Sequence, residues 1–230
     1  GNPDLDPYEA TNFDLSIEYY GDGSFASFGY FKKDIENAIY PLAVANTTVN
    51  GLFFDELLTF VNTDDSDVDG FELNIFQELN MLPEPIDGLF ISMNFTKTDG
   101  NSSLAVDNGT VSFPFRKLSE DVSNISIGYD KNKFDIRLSA VSRSPYLDYL
   151  ADDDSETIQE DLDNNNIRYT DDHTQIDFNL KYKINDQVSI KFDISNITDE
   201  PEFYYWGTPN RLSQYDEYGR TYSIGIRYNL

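Results

Sequence analysis

The side chains with the most obvious capacity for chemistry sit near the carboxyl-terminal end, where Tyr204, Tyr205 and Trp206 follow one another and Tyr146 and Tyr149 lie in a preceding segment. Flat apolar rings with hydrogen-bonding tips stack on sugar rings and other amphipathic ligands, and Asp148, Asn210 and Arg211 stand close enough in sequence to orient hydroxyl groups. The competing reading is an interfacial aromatic girdle or plain loop packing. Covalent chemistry has little to draw on: there is no cysteine and a single histidine, His173, so no catalytic residue is assigned and no enzyme is expected. No cofactor motif appears either. His173 falls at the end of a polar register and reads as a rim residue. Asp65-Ser66-Asp67-Val68-Asp69-Gly70 matches the first half of a calcium loop through Asp65, Asp67 and Asp69, but the twelfth position is Phe76 where a glutamate belongs. The alternative is an acidic loop leading into a strand.

What must position these residues is a set of unusually long alternating stretches. From Thr221 to Leu230 one side carries Tyr222, Ile224, Ile226, Tyr228 and Leu230, and the other Thr221, Ser223, Gly225, Arg227 and Asn229. Strand side chains point alternately to opposite faces, so one face is greasy and the other wet. Phe13, Leu15, Ile17 and Tyr19 repeat the pattern, as do Phe134, Ile136, Leu138 and Ala140, and Ile125, Ile127 and Tyr129. Ile176, Phe178, Leu180, Tyr182 and Ile184, followed by Val188, Ile190, Phe192 and Ile194, complete the regular set. Residues 24–35, 70–80 and 89–98 alternate less strictly, giving about nine strands of about ten residues, long enough to cross a bilayer when tilted. Only 52–61 offers a short helical turn.

Composition is compatible with a transmembrane barrel. Mean hydropathy is negative and no long apolar run exists, yet only every second residue of a barrel strand faces lipid. The chain has 16 Tyr and 17 Phe, the residue types that form girdles at the two interfaces. A net charge of -26 disfavours nucleic acid, whose phosphates need Lys and Arg. Much of the acid sits between strands, at Asp64, Asp65, Asp67 and Asp69, at Asp152, Asp153, Asp154, Glu156, Glu160, Asp161 and Asp163, and at Asp199, Glu200, Glu202, Asp216 and Glu217. These read as solvated loop surface, with cation attraction as the alternative. Connections alternate short and long: 21–23, 82–88, 130–133 and 185–187 against 36–69, 99–120, 144–172 and 197–219. Outer-membrane barrels place short turns in the periplasm and long loops outside, which predicts a periplasmic carboxyl terminus.

The run from Asn196-Ile197-Thr198-Asp199-Glu200-Pro201 through Tyr204-Tyr205-Trp206-Gly207 to Gly219-Arg220-Thr221-Tyr222-Ser223-Ile224-Gly225-Ile226-Arg227-Tyr228-Asn229-Leu230 resembles the end of a TonB-dependent outer-membrane receptor. The opening, from Asn2-Pro3 to Glu18-Tyr19-Tyr20, resembles the strand that begins the last third of such barrels, and Asp69-Gly70-Phe71-Glu72-Leu73-Asn74 and Arg143-Ser144-Pro145-Tyr146-Leu147 fit the same register. The resemblance implies a single incomplete domain over residues 1–230, an all-β antiparallel up-and-down meander belonging to the carboxyl-terminal part of a larger barrel. No plug domain or TonB-contacting segment is recognisable, so contact with TonB would run through a plug elsewhere. It further implies outer-membrane lipid and an extracellular small or oligomeric ligand as partners, with carbohydrate slightly favoured over ferric siderophore. Ser223, Gly225, Tyr228 and Leu230 resemble the signal read by the barrel insertion machinery. A passive porin-like or structural barrel and a soluble secreted β-sheet binding module stand as alternatives. Nine strands in a meander leave first and last parallel, which predicts an open, curved sheet.

Overall fold

The computed structural model describes residues 2–106, 109–150 and 162–229. Alternating, β-branched and aromatic-rich sequence produces β1 (Glu9–Gly21), β2 (Ser24–Glu36), β3 (Ile39–Val49), β4 (Leu52–Asn62), β5 (Asp65–Glu78), β6 (Leu89–Val106), β7 (Gly109–Pro114) and β8 (Asp121–Lys131). The second half continues as β9 (Phe134–Arg143), β10 (Tyr146–Leu150), β11 (Ile167–Thr170), β12 (His173–Lys183), β13 (Val188–Ser195), β14 (Glu202–Trp206), β15 (Leu212–Asp216) and β16 (Thr221–Tyr228). The main sheet runs β1-β2-β5-β6-β8-β9-β12-β13-β16, all antiparallel, with β7 added to the far end of β6. These nine path strands coincide with the nine stretches expected from alternation. β1 and β16 are its two edges, run the same way and do not pair with each other, so the wall is open.

Register places like with like across the whole wall. One row links Ile17, Phe28, Leu73 and Phe95; another links Tyr129, Ile136, Leu180, Phe192 and Ile224. These side chains have no second protein layer over them: Ile17 is 72% exposed, Leu138 48% and Ile224 78%. An apolar surface this continuous is far larger than soluble monomers tolerate. Aromatic rings concentrate at its margins, with Tyr19, Tyr129, Phe134, Tyr182 and Tyr228 toward the short turns and Phe13, Tyr30, Phe71, Phe95 and Tyr222 toward the long connections. The Phe134 and Tyr182 rings meet at 5.0 Å, and those of Phe71 and Phe95 at 6.0 Å.

The opposite face is hydrogen-bonded rather than greasy. Asn74 Nδ2 donates to Ser27 Oγ at 3.0 Å, Asn94 Nδ2 to Asn74 Oδ1, and Asn124 Nδ2 to Asn94 Oδ1 at 3.3 Å, forming an amide ladder over four strands. Further along, Asp193 accepts from Asn179 Nδ2 at 2.8 Å and from Ser223 Oγ at 2.9 Å. Phe90 is an exception, lying on this wet face under the Arg137 guanidinium at 5.4 Å. Gly128 accommodates it, since a Cβ there would stand 2.1 Å from the Phe90 ring.

Two expectations are corrected. Residues 52–61 form β4, paired with β3 in a hairpin, and not a helical turn. The turn Asn50-Gly51 has φ of 52° and 79°, the left-handed pair required at the tip of a two-residue hairpin. The Asp65, Asp67 and Asp69 segment is likewise strand, not loop. In β5 these carboxylates stand opposite Glu36, Asp34 and Lys32, spaced about 7 Å apart along an extended chain, so they do not wrap one cation. Among the described residues no cluster of metal ligands occurs. The acidic positions 152–154, 156, 160 and 161 lie outside the described residues, as does Leu230.

The long connections build a compact layer above one end of the wall. Besides the β3–β4 hairpin and β7, it contains a four-stranded sheet ordered β10-β11-β14-β15. Tyr40, Leu104, Val111, Phe113, Leu147, Leu150 and Ile167 are buried together there, one small core drawn from β3, β6, β7, β10 and β11. Arg116 Nε donates to the Asp148 carbonyl, and Lys117 N donates to Leu147 O at 2.8 Å, tying the segment after β7 to β10.

Candidate functional site

The four-stranded sheet brings most of the singled-out aromatic residues onto one face. Alternation in β14 sends Glu202, Tyr204 and Trp206 one way and Phe203 and Tyr205 the other. Register then sets Trp206 beside Arg168, and Tyr204 beside Thr170 and Gln214. In β10 the register shifts between Leu147 and Tyr149. The irregularity lets Leu147 and Leu150 both enter the core while Tyr149 reaches Trp206, ring to ring at 5.6 Å and 86°.

Arg168 organises this face, although sequence reasoning did not select it. Its guanidinium lies 4.5 Å from the Tyr204 ring and 5.0 Å from the Tyr149 ring, both within cation–π range. Nη1 donates to Tyr149 Oη at 3.0 Å, Nη2 to Gln214 Oε1 at 2.9 Å, and Nε stands 3.5 Å from Asp148 Oδ2. Two hydrogen bonds and two ring faces make the cation a clamp on both tyrosines, while the buried Nε faces Asp148 as an ion pair without a hydrogen bond. Arg168 stands beside Tyr169 in a four-residue strand, and its place opposite Trp206 follows from cross-strand register, which gave no signal in the sequence.

Tyr205 is placed elsewhere. It is 7% exposed and stacks on Tyr169 at 5.5 Å and 22°, and burial pushes both phenols up. Its role is packing beneath the aromatic face. Tyr146 lies at the start of β10 under the Arg143 guanidinium at 5.0 Å. Asn210 and Arg211 sit in the exposed β14–β15 turn, where Arg211 Nη2 donates to Asn166 Oδ1 at 3.1 Å. Arg211 thus braces the turn instead of joining Arg168. His173 begins β12, with Nδ1 3.3 Å from Pro201 O, at the junction of wall and loop layer.

Tyr204 has the most perturbed phenol of the group. Burial, reinforced by the hydrogen bond donated to Glu202 Oε2 at 2.9 Å, pushes it up to about 12. Because the folded value exceeds the unfolded one near 10, its contribution to stability is intact below pH 10 and is lost as pH rises toward 12. In a spectrophotometric titration of phenolate absorbance, the latest-ionising step is expected to lose one tyrosine in Tyr204→Phe; an unchanged amplitude of that step in the variant would contradict this environment.

A family model described as TonB dependent receptor-like, beta-barrel, matches residues 1–197. Among curated proteins, a probable hemoglobin and hemoglobin-haptoglobin-binding protein 4 of Haemophilus influenzae is 26% identical over 256 aligned residues, covering 100% of this chain and 24% of that protein. Among solved structures, the ferric enterobactin receptor of Pseudomonas aeruginosa superposes with a TM-score of 0.66 at 17% identity, over 99% of this chain and 32% of the receptor. The siderophore receptor PirA of Acinetobacter baumannii gives 0.63 at 20% identity, over 99% of this chain and 32% of that one. The copper transporter OprC gives 0.66 at 12% identity, over 97% and 32%. The structural likenesses carry the fold; this chain spans about a quarter to a third of the length of the proteins it matches.

Proposed function

Because the chain belongs to the TonB-dependent receptor-like β-barrel family, we propose that it forms nine wall strands and part of the outer loop layer of a bacterial outer-membrane importer. The observation that carries this is the wall itself: a continuous, exposed apolar face bounded by aromatic rings, backed by a hydrogen-bonded polar face. Acyl chains satisfy the first and a water-filled lumen the second. An open edge in hydrocarbon leaves backbone groups unpaired at several kcal/mol each, so in the membrane the β1 and β16 edges pair with further strands. Energised uptake would be gated by a plug and driven through TonB.

In this reading the short turns face the periplasm, with the end of β16 among them, and the loop layer faces outward. Ser223, Gly225 and Tyr228, with Leu230, would serve the insertion machinery. An epitope inserted between Asn50 and Gly51 should be labelled on intact cells, whereas one inserted between Asn132 and Lys133 should be reached only after permeabilisation. The reverse pattern would overturn the orientation, and recovery of the protein in the soluble fraction would overturn the membrane reading.

For the nutrient, the face of Tyr149, Tyr204 and Trp206 supports a neutral, amphipathic cargo, and oligosaccharide is the class we favour. Arg168 is the cation of this face, and its charge is balanced internally by Asp148 and covered by the Tyr149 and Tyr204 rings, which weakens any case for an anionic chelate. Disruption of the gene should lower uptake of labelled neutral oligosaccharides and leave ferric chelate uptake unchanged. Loss of chelate uptake with sugar uptake intact would reject this choice.

A further inference from the structure

We propose that the wet face of β12, β13 and β16 carries, at its short-turn end, a docking strip for an acidic extended peptide. The inference rests on reading that face as a lumen wall. In a chain of net charge -26 with only 16 basic residues, four cations gather here: Lys181 and Lys183 on β12, Lys191 on β13 and Arg227 on β16. Alternation puts all four on one face, the face of Asn179, Asp193 and Ser223. Lys181 and Lys191 stand directly opposite each other in the β12–β13 register, and Lys183, Ser189 and Arg227 share the next row. Like charges directly opposite cost stability.

The local acids do not neutralise this strip. Lys191 Nζ pairs with Asp193 Oδ2 at 3.0 Å, and Asp135 stands opposite Lys181 in the β9–β12 register. Asp186 sits in the β12–β13 turn. Among the described residues, Lys181, Lys183 and Arg227 nonetheless form no ion pair, and together with Asp186 they line a cleft of 230 Å³ at the rim. Four cations against Asp135, Asp186 and Asp193 leave an excess of positive charge, an electrostatic cost that a bound anion offsets.

The layout selects the kind of anion. Cations two residues apart on one strand are about 7 Å apart, the same repeat as alternate side chains of an extended peptide. Adjacent strands lie about 4.8 Å apart, so one strand-like segment with acids at alternate positions meets both rows. A small oxyanion reaches a single row in an open, solvated cleft, where each pair is worth little.

The test uses the chain within its complete barrel, in detergent micelles, with two probes: a peptide of alternating Glu and Ser, and inorganic pyrophosphate. The peptide should bind in a salt-sensitive manner, and Lys181→Gln/Lys183→Gln/Arg227→Gln should weaken it about tenfold. Lys97→Gln, on the other side of the wall near the loop layer, should leave binding unchanged. Equal affinity for pyrophosphate and peptide, or equal binding by the triple variant, would overturn the proposal. Strand content and membrane insertion of the same variants separate the outcomes: binding lost with insertion intact concerns the strip alone, while failure of the unaltered complete barrel to insert rejects the lumen wall on which it rests.

Discussion

Replacing Phe178 by arginine is expected to abolish stable membrane insertion, while arginine at the very next position, Asn179, is tolerated. The two residues share a depth and differ in face. Phe178 lies mid-strand in β12, opposite Leu138 and Ile194, in the middle of the apolar band. A charged guanidinium there faces acyl chains, a change that costs about 2–4 kcal/mol near the bilayer midplane. Asn179 faces the polar side, where its Nδ2 donates to Asp193 Oδ1 at 2.8 Å, so arginine at that position keeps an acidic partner and water. Its effect should stay within about 1 kcal/mol. Folding equilibria measured in liposomes, with membrane fractionation as a second readout, check the contrast. Equal loss in both variants would mean that the two faces do not see lipid and water.

The wall was legible because its physics is local and repeats every two residues. Tyr222, Ile224, Ile226 and Tyr228 declare their face without reference to any other strand, and the structure pairs them in register with Ile194, Phe192, Ile190 and Val188. The loop layer lacked that regularity. In β4, Phe54, Leu57, Leu58 and Val61 fall at helical spacing because apolar residues occupy both faces of the strand, and this disguised it as a helical turn. Asn50-Gly51 was the stronger signal, since only residues that accept positive φ fit such a tip. The core of Tyr40, Leu104, Phe113, Leu147 and Ile167 is assembled from segments far apart in sequence, which no local period reveals.

The candidate site divides along the same line. Choosing Tyr204, Tyr205 and Trp206 together overlooked that consecutive strand residues oppose each other; alternation sends Tyr205 to the other face, which the structure buries and where it stacks on Tyr169. The approach of Tyr149 to Trp206 depends on the register shift in β10, and nothing in the composition of that segment announces it. The acidic Asp65, Asp67 and Asp69 were read through a loop motif, although alternation with Ser66, Val68 and Gly70 already matched a strand whose polar side chains point one way.

Arg168→Leu should be the most damaging single change in the loop layer. The guanidinium holds Tyr149 and Tyr204 by their ring faces, bonds Tyr149 Oη and Gln214, and faces Asp148. The Arg168 and Asp148 side chains are only 13% and 16% exposed, so leucine strands a carboxylate with little water to solvate it. Removing one partner of such a pair costs about 3–5 kcal/mol. Trp206 is the sole tryptophan and stands edge-on to Tyr149, which makes its fluorescence a direct reporter of this face. In Arg168→Leu the emission should shift toward that of solvent-exposed indole and the loop layer should melt well before the wall, whose strand signal persists. Adding Asp148→Asn should recover part of the loss, because the stranded charge is then gone while the missing ring contacts are not. An unshifted Trp206 emission in Arg168→Leu, or no recovery in the double variant, would show that the clamp does not hold the aromatic face.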